Sequence, residues 1–228
     1  MVKTVVVIAT REPTAERFLE ATATGRSLVL RPALDVEMRI VTSNKRGLPA
    51  VYNEAINSLR EEDANLVFIH DDVHVLDFFW KDQIALALGA YDVVGVAGNA
   101  RRVPHQPTWC HVTEMKWDAL ENLSGVVGHG GSYPPDNVSE YGATPREVVL
   151  LDGLLLACKS GTFATHGLAF DERFDFHFYD LDLCRQAEAK GLSMGTWPIS
   201  VIHESTGNAY SSDSWREGYR RYLEKWGE

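Results

Sequence analysis

Basic charge is the first thing this chain is short of: 22 lysines and arginines face 32 aspartates and glutamates, a formal net charge of −10 over 228 residues. A protein that grips a phosphate backbone shows a basic face, so nucleic acid is not an expected partner. Cysteine is scarce as well. The three present, Cys110, Cys158 and Cys184, are odd in number and share no C-x-x-C spacing. They read as reduced thiols rather than a disulfide framework. No apolar run approaches the roughly 18 to 20 residues needed to span a bilayer, so no transmembrane segment is expected. The first residues pass straight into a valine-rich run without a signal peptide's cleavage pattern, and the expected location is cytoplasmic. Internal repeats, low-complexity tracts and clean linkers are also missing. With ordinary hydrophobic (45%) and charged (24%) content, the expectation is a single domain over 1–228.

What is present alternates between strand-like and helix-like segments. Residues 2–9 form a nearly continuous apolar run, the pattern of a strand buried on both faces. A helical stretch opens at Thr14 after Pro13, and residues 38–42 read as a second strand. Pro49 sits in the first turn of a helix that carries Val51, Ala55 and Leu59 on one face. Residues 66–70 are a third strand, 79–90 a helix and 93–97 a fourth strand. Such alternation predicts βαβ units and a mostly parallel sheet flanked by helices. From 104 to 145 the periodicity is lost among Gly, Pro, His and Ser, which predicts an irregular functional insertion. His105, Cys110, His111 and His129 fall inside it, but their spacing matches no zinc pattern. Near the C-terminus, Trp215, Tyr219, Tyr222 and Trp226 recur at intervals of four, three and four, predicting an amphipathic helix over 211–227. Its stripe suits packing better than membrane attachment, although peripheral membrane contact stays open.

In open α/β sheets ligands gather beyond the carboxyl ends of the strands. Four strand ends here carry polar groups: Thr10-Arg11-Glu12, His70-Asp71-Asp72-Val73-His74, Asp152-Gly153 and His203-Glu204. Adjacent carboxylates after an apolar strand, joined by a histidine from another, suit Mg²⁺ or Mn²⁺. Asp152 interrupts an apolar run and so needs a partner or ligand. Residues 174–191 crowd aromatics before Asp180 and Asp182 at a helix start, with Gly191 as its stop. That pattern describes either a capped helix or a carboxylate tuned by a partly dry pocket into a general base.

Phe68-Ile-His-Asp-Asp-Val73, Phe178-Tyr-Asp-Leu-Asp-Leu-Cys184 and the late His203 together resemble the family-2-like glycosyltransferases of GT-A fold. Asn44, Gly47 and Asn53 resemble the segment after those enzymes' second strand. The resemblance, running from about residue 2 to 203, implies a GT-A, Rossmann-like sheet with an acceptor-side insertion. It implies a metal-dependent, inverting transferase that moves a sugar from a UDP-, GDP- or dTDP-sugar to the hydroxyl of a glycan or lipid-linked glycan, in glycan or surface-polysaccharide synthesis. It makes Asp72 and His203 metal ligands, with His74 as a further one, and Asp180 the base. Thr10, Glu12, Arg46, Asp71, Asp72 and Asp152 fall on the donor side. His70 stands where the family's motif has its first Asp, and Tyr179 replaces the usual Glu beside the base. Asp182 becomes a capping or orienting carboxylate. Two other readings share parts of this pattern. One is a sugar-nucleotide nucleotidyltransferase, which calls for a glycine-rich loop where this chain has Ala-Thr-Arg-Glu-Pro. The other is a non-catalytic nucleotide-sugar or glycan-binding domain.

Overall fold

The computed structural model describes residues 2–205, 210 and 212–227. In chain order its first half runs β1 (Lys3–Ala9), α1 (Ala15–Ala21), α2 (Ala23–Leu30), β2 (Val36–Val41), α3 (Leu48–Ser58), β3 (Ala64–Ile69), β4 (Val73–Val75), α4 (Trp80–Ala90), β5 (Val93–Gly95) and β6 (Ala97–Asn99). There follow β7 (His111–Thr113), β8 (Lys116–Trp117), β9 (Leu123–His129), β10 (Asn137–Gly142), β11 (Arg146–Glu147), β12 (Leu150–Leu151) and β13 (Leu155–Lys159). The chain continues through α5 (Ser160–His166), α6 (Tyr179–Ala189), β14 (Met194–Thr196), β15 (Val201–His203) and α7 (Asp213–Trp226).

Two larger sheets share the core. The first is seven-stranded, in the order β11-β14-β5-β13-β3-β1-β2. β1 lies parallel to both β2 and β3, and its Val5–Ile8 run is buried on both faces, as its unbroken apolar pattern requires. β13 enters antiparallel between β3 and β5, and β11 closes the far edge antiparallel to β14. The second sheet, β12-β6-β9-β15-β4 with β10 on β9, is antiparallel at every pairing except β15 with β9. The expected mostly parallel sheet is therefore corrected to a mixed one. The apolar run at 93–97 is not one strand: the chain leaves the first sheet after Gly95 and joins the second at Ala97.

The supposedly irregular 104–145 segment also needs correction, because it holds β7 to β10. β9 was masked by its glycines. Gly125, at φ +119°, sits where the pairing with β10 shifts register, and a Cβ there would lie 2.4 Å from the Val96 carbonyl oxygen. At the C-terminus, Ser212 caps α7 by accepting the Trp215 N–H at 3.1 Å, and Gly227 ends it in the left-handed region. Position 211, the first of the expected helix, lies outside the described residues. Among the described residues no helix is long and apolar enough to cross a membrane.

Candidate functional site

The reversed strand β13 assembles the site. Leu155 pairs with Ile69, so the Asp152-Gly153 turn that precedes β13 lies beside the carboxyl end of β3, and the His70 N–H donates to the Leu154 carbonyl at 3.1 Å. In the second sheet, His203 of β15 pairs with Val73 of β4, and the Glu204 N–H donates to the Asp72 carbonyl at 3.0 Å. Two sheets thus bring His70, Asp72 and His203 together, each able to offer a ligand atom within 4.8 Å of the others. His203 Nε2 is 3.3 Å and His70 Nδ1 3.9 Å from Asp72 Oδ1.

The chemistry of this cluster fits a divalent cation. Asp72 Oδ1 is buried yet takes no well-aligned hydrogen bond among the described residues, and a buried carboxylate oxygen in that state needs a partner. Burial pushes the His70 imidazole down to about 4, against the pull of Asp72, so it is neutral and free to ligate. Burial would lower His203 as well, but Asp72 outweighs it and holds that imidazole above its usual range. Asp72 shows the converse: burial raises it, and His203 and His70 together bring it below the ordinary carboxylate value. One carboxylate and two imidazoles form a donor set compatible with Mn²⁺ and, less readily, Mg²⁺.

On the other side of the Asp152-Gly153 turn lies the start of α6. The Gly153 N–H donates to Asp180 Oδ2 at 3.1 Å, and the Leu181 N–H donates to Asp180 Oδ1 at 2.9 Å. Burial, reinforced by the nearby Asp152 carboxylate, pushes Asp180 up to about 7. Asp152 is itself raised by burial, while His203 and hydrogen bonds from the Leu154 N–H and the Trp109 side chain moderate it. A carboxyl poised near neutrality can take a proton from a substrate hydroxyl.

His70, Asp72, His203, Asp152 and Asp180 all line one cavity of about 570 Å³. Its outer wall comes from the segment that the sequence left unread: Trp109, Trp117, Tyr141 and the β10 residues Asn137 and Ser139. Trp109 meets Tyr141 edge-on at 4.9 Å, and Trp117 stacks on Tyr141 at 5.7 Å. His129, opposite His203 across β9 and β15, also faces the cavity and bonds Ser139 at 2.9 Å. Sequence reasoning missed Trp109, Trp117 and Tyr141, since aromatics scattered through a segment without periodicity give no signal. The run of aromatics before Asp180 did give one, and Phe176 and Phe178 line the cavity too.

The α7 stripe explains how the start of α6 is held. Phe178 caps α6 with a positive φ of 68°, a conformation that costs a non-glycine residue about 1 kcal/mol or more. Its ring is enclosed by Trp215 at 5.3 Å, Tyr219 at 5.6 Å and Tyr222 at 5.5 Å. Trp226 donates to Asp182 at 2.9 Å, and Lys225 pairs with the same carboxylate at 2.6 Å. Asp182 is fully buried and points at α7, where it locks the two helices together. Asp180 faces the cavity.

The remaining expected residues disperse. Thr10 follows β1 with its hydroxyl bonded to the Asp71 carboxylate, which burial raises, and it accepts the Glu12 N–H at 3.2 Å. Asp71 adjoins the cluster in sequence, but the cavity is lined by Asp72 and not by Thr10, Glu12 or Asp71. Arg46 pairs with Glu54 at 2.8 Å on an exposed face. His74 is one residue out of register with His203, so it turns to the opposite face and meets Glu204 at 3.0 Å and the Gly131 carbonyl at 3.3 Å. Tyr179 lies at the centre of the site, with its hydroxyl 2.8 Å from His70 Nε2. Asn44 stabilises its own loop by bonding both backbone groups of Arg46, and Asn53 pairs with both backbone groups of Phe170.

No protein-family profile matches the chain, and no curated protein matches it in sequence. Among solved structures, A197 from STIV superposes with a TM-score of 0.52 at 13% identity, over 90% of this chain and 86% of that one. A structure of GalNAc-T7 with UDP, GalNAc and Mn²⁺ superposes with a TM-score of 0.60 at 12% identity, over 98% of this chain and 48% of the other. The present chain thus spans about half of GalNAc-T7. At such identities the likeness is one of fold.

Proposed function

We propose that this chain is a metal-dependent, inverting glycosyltransferase that moves a sugar from a nucleotide-sugar donor to a hydroxyl of a glycan or lipid-linked glycan, in glycan or surface-polysaccharide synthesis. One observation carries the reading: a single cavity holds both a ligand set for a divalent cation and, on its wall, a carboxyl raised to about 7. The fold shared with GalNAc-T7, a protein crystallised with UDP, GalNAc and Mn²⁺, agrees with it.

His70, Asp72 and His203 would hold the cation, Mn²⁺ or Mg²⁺. Once bound there, it supplies positive charge for the donor's diphosphate leaving group. Asp180 accepts the acceptor hydroxyl's proton as that oxygen bonds to the anomeric carbon and the bond from that carbon to the diphosphate oxygen breaks. Attack from the face opposite the leaving group inverts the anomeric centre. Burial, and after it repulsion from Asp152, keeps Asp180 basic, and the Gly153 and Leu181 N–H groups aim it. Trp109, Trp117 and Tyr141 offer aromatic faces to the acceptor and keep water from the reacting atoms. Thr10, Glu12 and Asp71, outside the cavity lining, would take the nucleotide beyond β1. The test is a panel of UDP-, GDP- and dTDP-sugars with Mn²⁺ and candidate glycan acceptors, the product's anomeric configuration being read by NMR. Transfer with inversion, lost in Asp180→Asn, is expected. Transfer with retention would refute the assigned role of Asp180, and failure of every donor to bind would leave only a shared fold.

A further inference from the structure

Tyr179 takes the place beside the base where the resembled pattern has Glu, and its hydroxyl has three neighbours, one of them the buried Tyr52 hydroxyl. It donates to the Gly153 carbonyl at 2.8 Å and lies 2.8 Å from His70 Nε2. A phenol has one hydrogen. With that hydrogen on the Gly153 carbonyl, the His70 contact closes only if Nε2 carries the imidazole proton. The reverse assignment would set the phenol oxygen against the carbonyl with no hydrogen between them, in a buried place where that is costly. Nδ1 is therefore the lone-pair nitrogen, and Nδ1 is the atom that faces Asp72 at 3.9 Å. A tautomer locked by a hydrogen bond at the remote nitrogen is how proteins prepare imidazoles for metals.

Gly153 extends the chain of contacts. Its carbonyl accepts from Tyr179 while its N–H donates to Asp180. A Cβ at this position would lie 2.4 Å from the Tyr179 hydroxyl oxygen, 2.8 Å from the ring carbon that bears it and 3.0 Å from the Asp180 Cβ. Glycine is thus required for the two side chains to approach this turn together.

We infer that Tyr179 is a positioning residue that, through the backbone of Gly153, locks His70 with Nδ1 open to the cation and ties that ligand to the aim of Asp180. The inference rests on the cation reading of the His70–Asp72–His203 cluster.

The experiment compares wild type, Tyr179→Phe, Gly153→Ala and Tyr91→Phe, the last being a half-buried tyrosine just past α4 that does not line the cavity. Mn²⁺ affinity is measured by EPR of the unbound ion. The His70 tautomer is read by ¹⁵N NMR of the metal-free protein, its signals assigned from their loss in His70→Gln. In wild type the proton should sit on Nε2. Tyr179→Phe, which keeps the ring, should weaken Mn²⁺ binding 10- to 100-fold and mix the tautomers, the range seen when such supporting partners are removed. Gly153→Ala should do the same, and Tyr91→Phe should match wild type. Equal Mn²⁺ affinity in wild type and Tyr179→Phe, or a wild-type proton on Nδ1, overturns the inference and leaves the cation site standing. Failure of wild type to bind Mn²⁺ overturns the cation reading and, with it, the role given to Tyr179.

Discussion

Replacing the proposed base should make the protein more stable, and only at high pH. In the folded chain Asp180 is pushed from 3.8 to about 7, first by burial and then by Asp152. The folded state therefore holds this proton more tightly than the unfolded chain does. Stability falls as pH rises from about 4 to about 7 and levels off above that. A roughly thousandfold change in proton affinity, at about 1.4 kcal/mol per tenfold, amounts to about 4 kcal/mol lost by pH 8. Asp180→Asn removes that penalty. It also turns an amide donor toward the Gly153 N–H, which now donates to Oδ2 at 3.1 Å, at a cost of about 1–2 kcal/mol. The net gain is about 2 kcal/mol at pH 8, or about 4–8 °C in Tm for a chain of this size. Near pH 4 only the lost hydrogen bond remains, so the variant should melt below wild type. Thermal unfolding of both proteins from pH 4 to 8.5 in EDTA should show the two Tm curves crossing. A difference that does not change with pH, or a variant less stable at pH 8, would refute the placement of Asp180 as a carboxyl strained by burial.

The activity of the wild-type enzyme should fall as pH drops through the Asp180 transition, with kcat/KM losing about tenfold per unit on a limb near or below 7; a flat profile from 5 to 8 would remove Asp180 as the base. Asp182→Ala should cost about 1–3 kcal/mol by leaving the Trp226 indole without its acceptor while Lys225 keeps Asp171 at 2.8 Å, measured by urea unfolding. Trp215→Ala should cost about 3–5 kcal/mol as well, and it should depress turnover beyond the loss of folded protein because Phe178 loses its cover. Arg46→Ala should leave donor affinity within about twofold of wild type, since Arg46 pairs with Glu54 on an exposed face.

Local chemistry made part of this site legible in the sequence. Asp72 follows an apolar strand, Asp180 opens a helix behind aromatics, and His203 ends a short apolar run, so each carries its signal within a few residues. The choice between His70 and His74 was not legible. Both stand two residues from Asp72, and the β4–β15 register alone turns His74 toward Glu204. The direction of β13 was hidden for a similar reason: an apolar run shows burial but not polarity, and it is this reversal that carries Asp152 and Gly153 to His70. In the 104–145 segment, β9 takes its place between β6 and β15, outside the segment, while its glycines blur the alternation that would have announced it. The α7 stripe announced packing, but its partner Phe178 lies too far back in the chain for periodicity to find.

The central claim is most directly tested by thermal-shift titration of UDP, GDP and dTDP, each with and without Mn²⁺, on wild type and Asp72→Ala. At a hundredfold excess over Kd, a ligand that binds only the folded chain adds about 2.7 kcal/mol, or about 5–10 °C here. The account predicts a shift of that size for at least one nucleotide diphosphate with wild type and Mn²⁺ together, and none without the metal or in Asp72→Ala. Equal shifts in wild type and Asp72→Ala, or a shift indifferent to Mn²⁺, would contradict it.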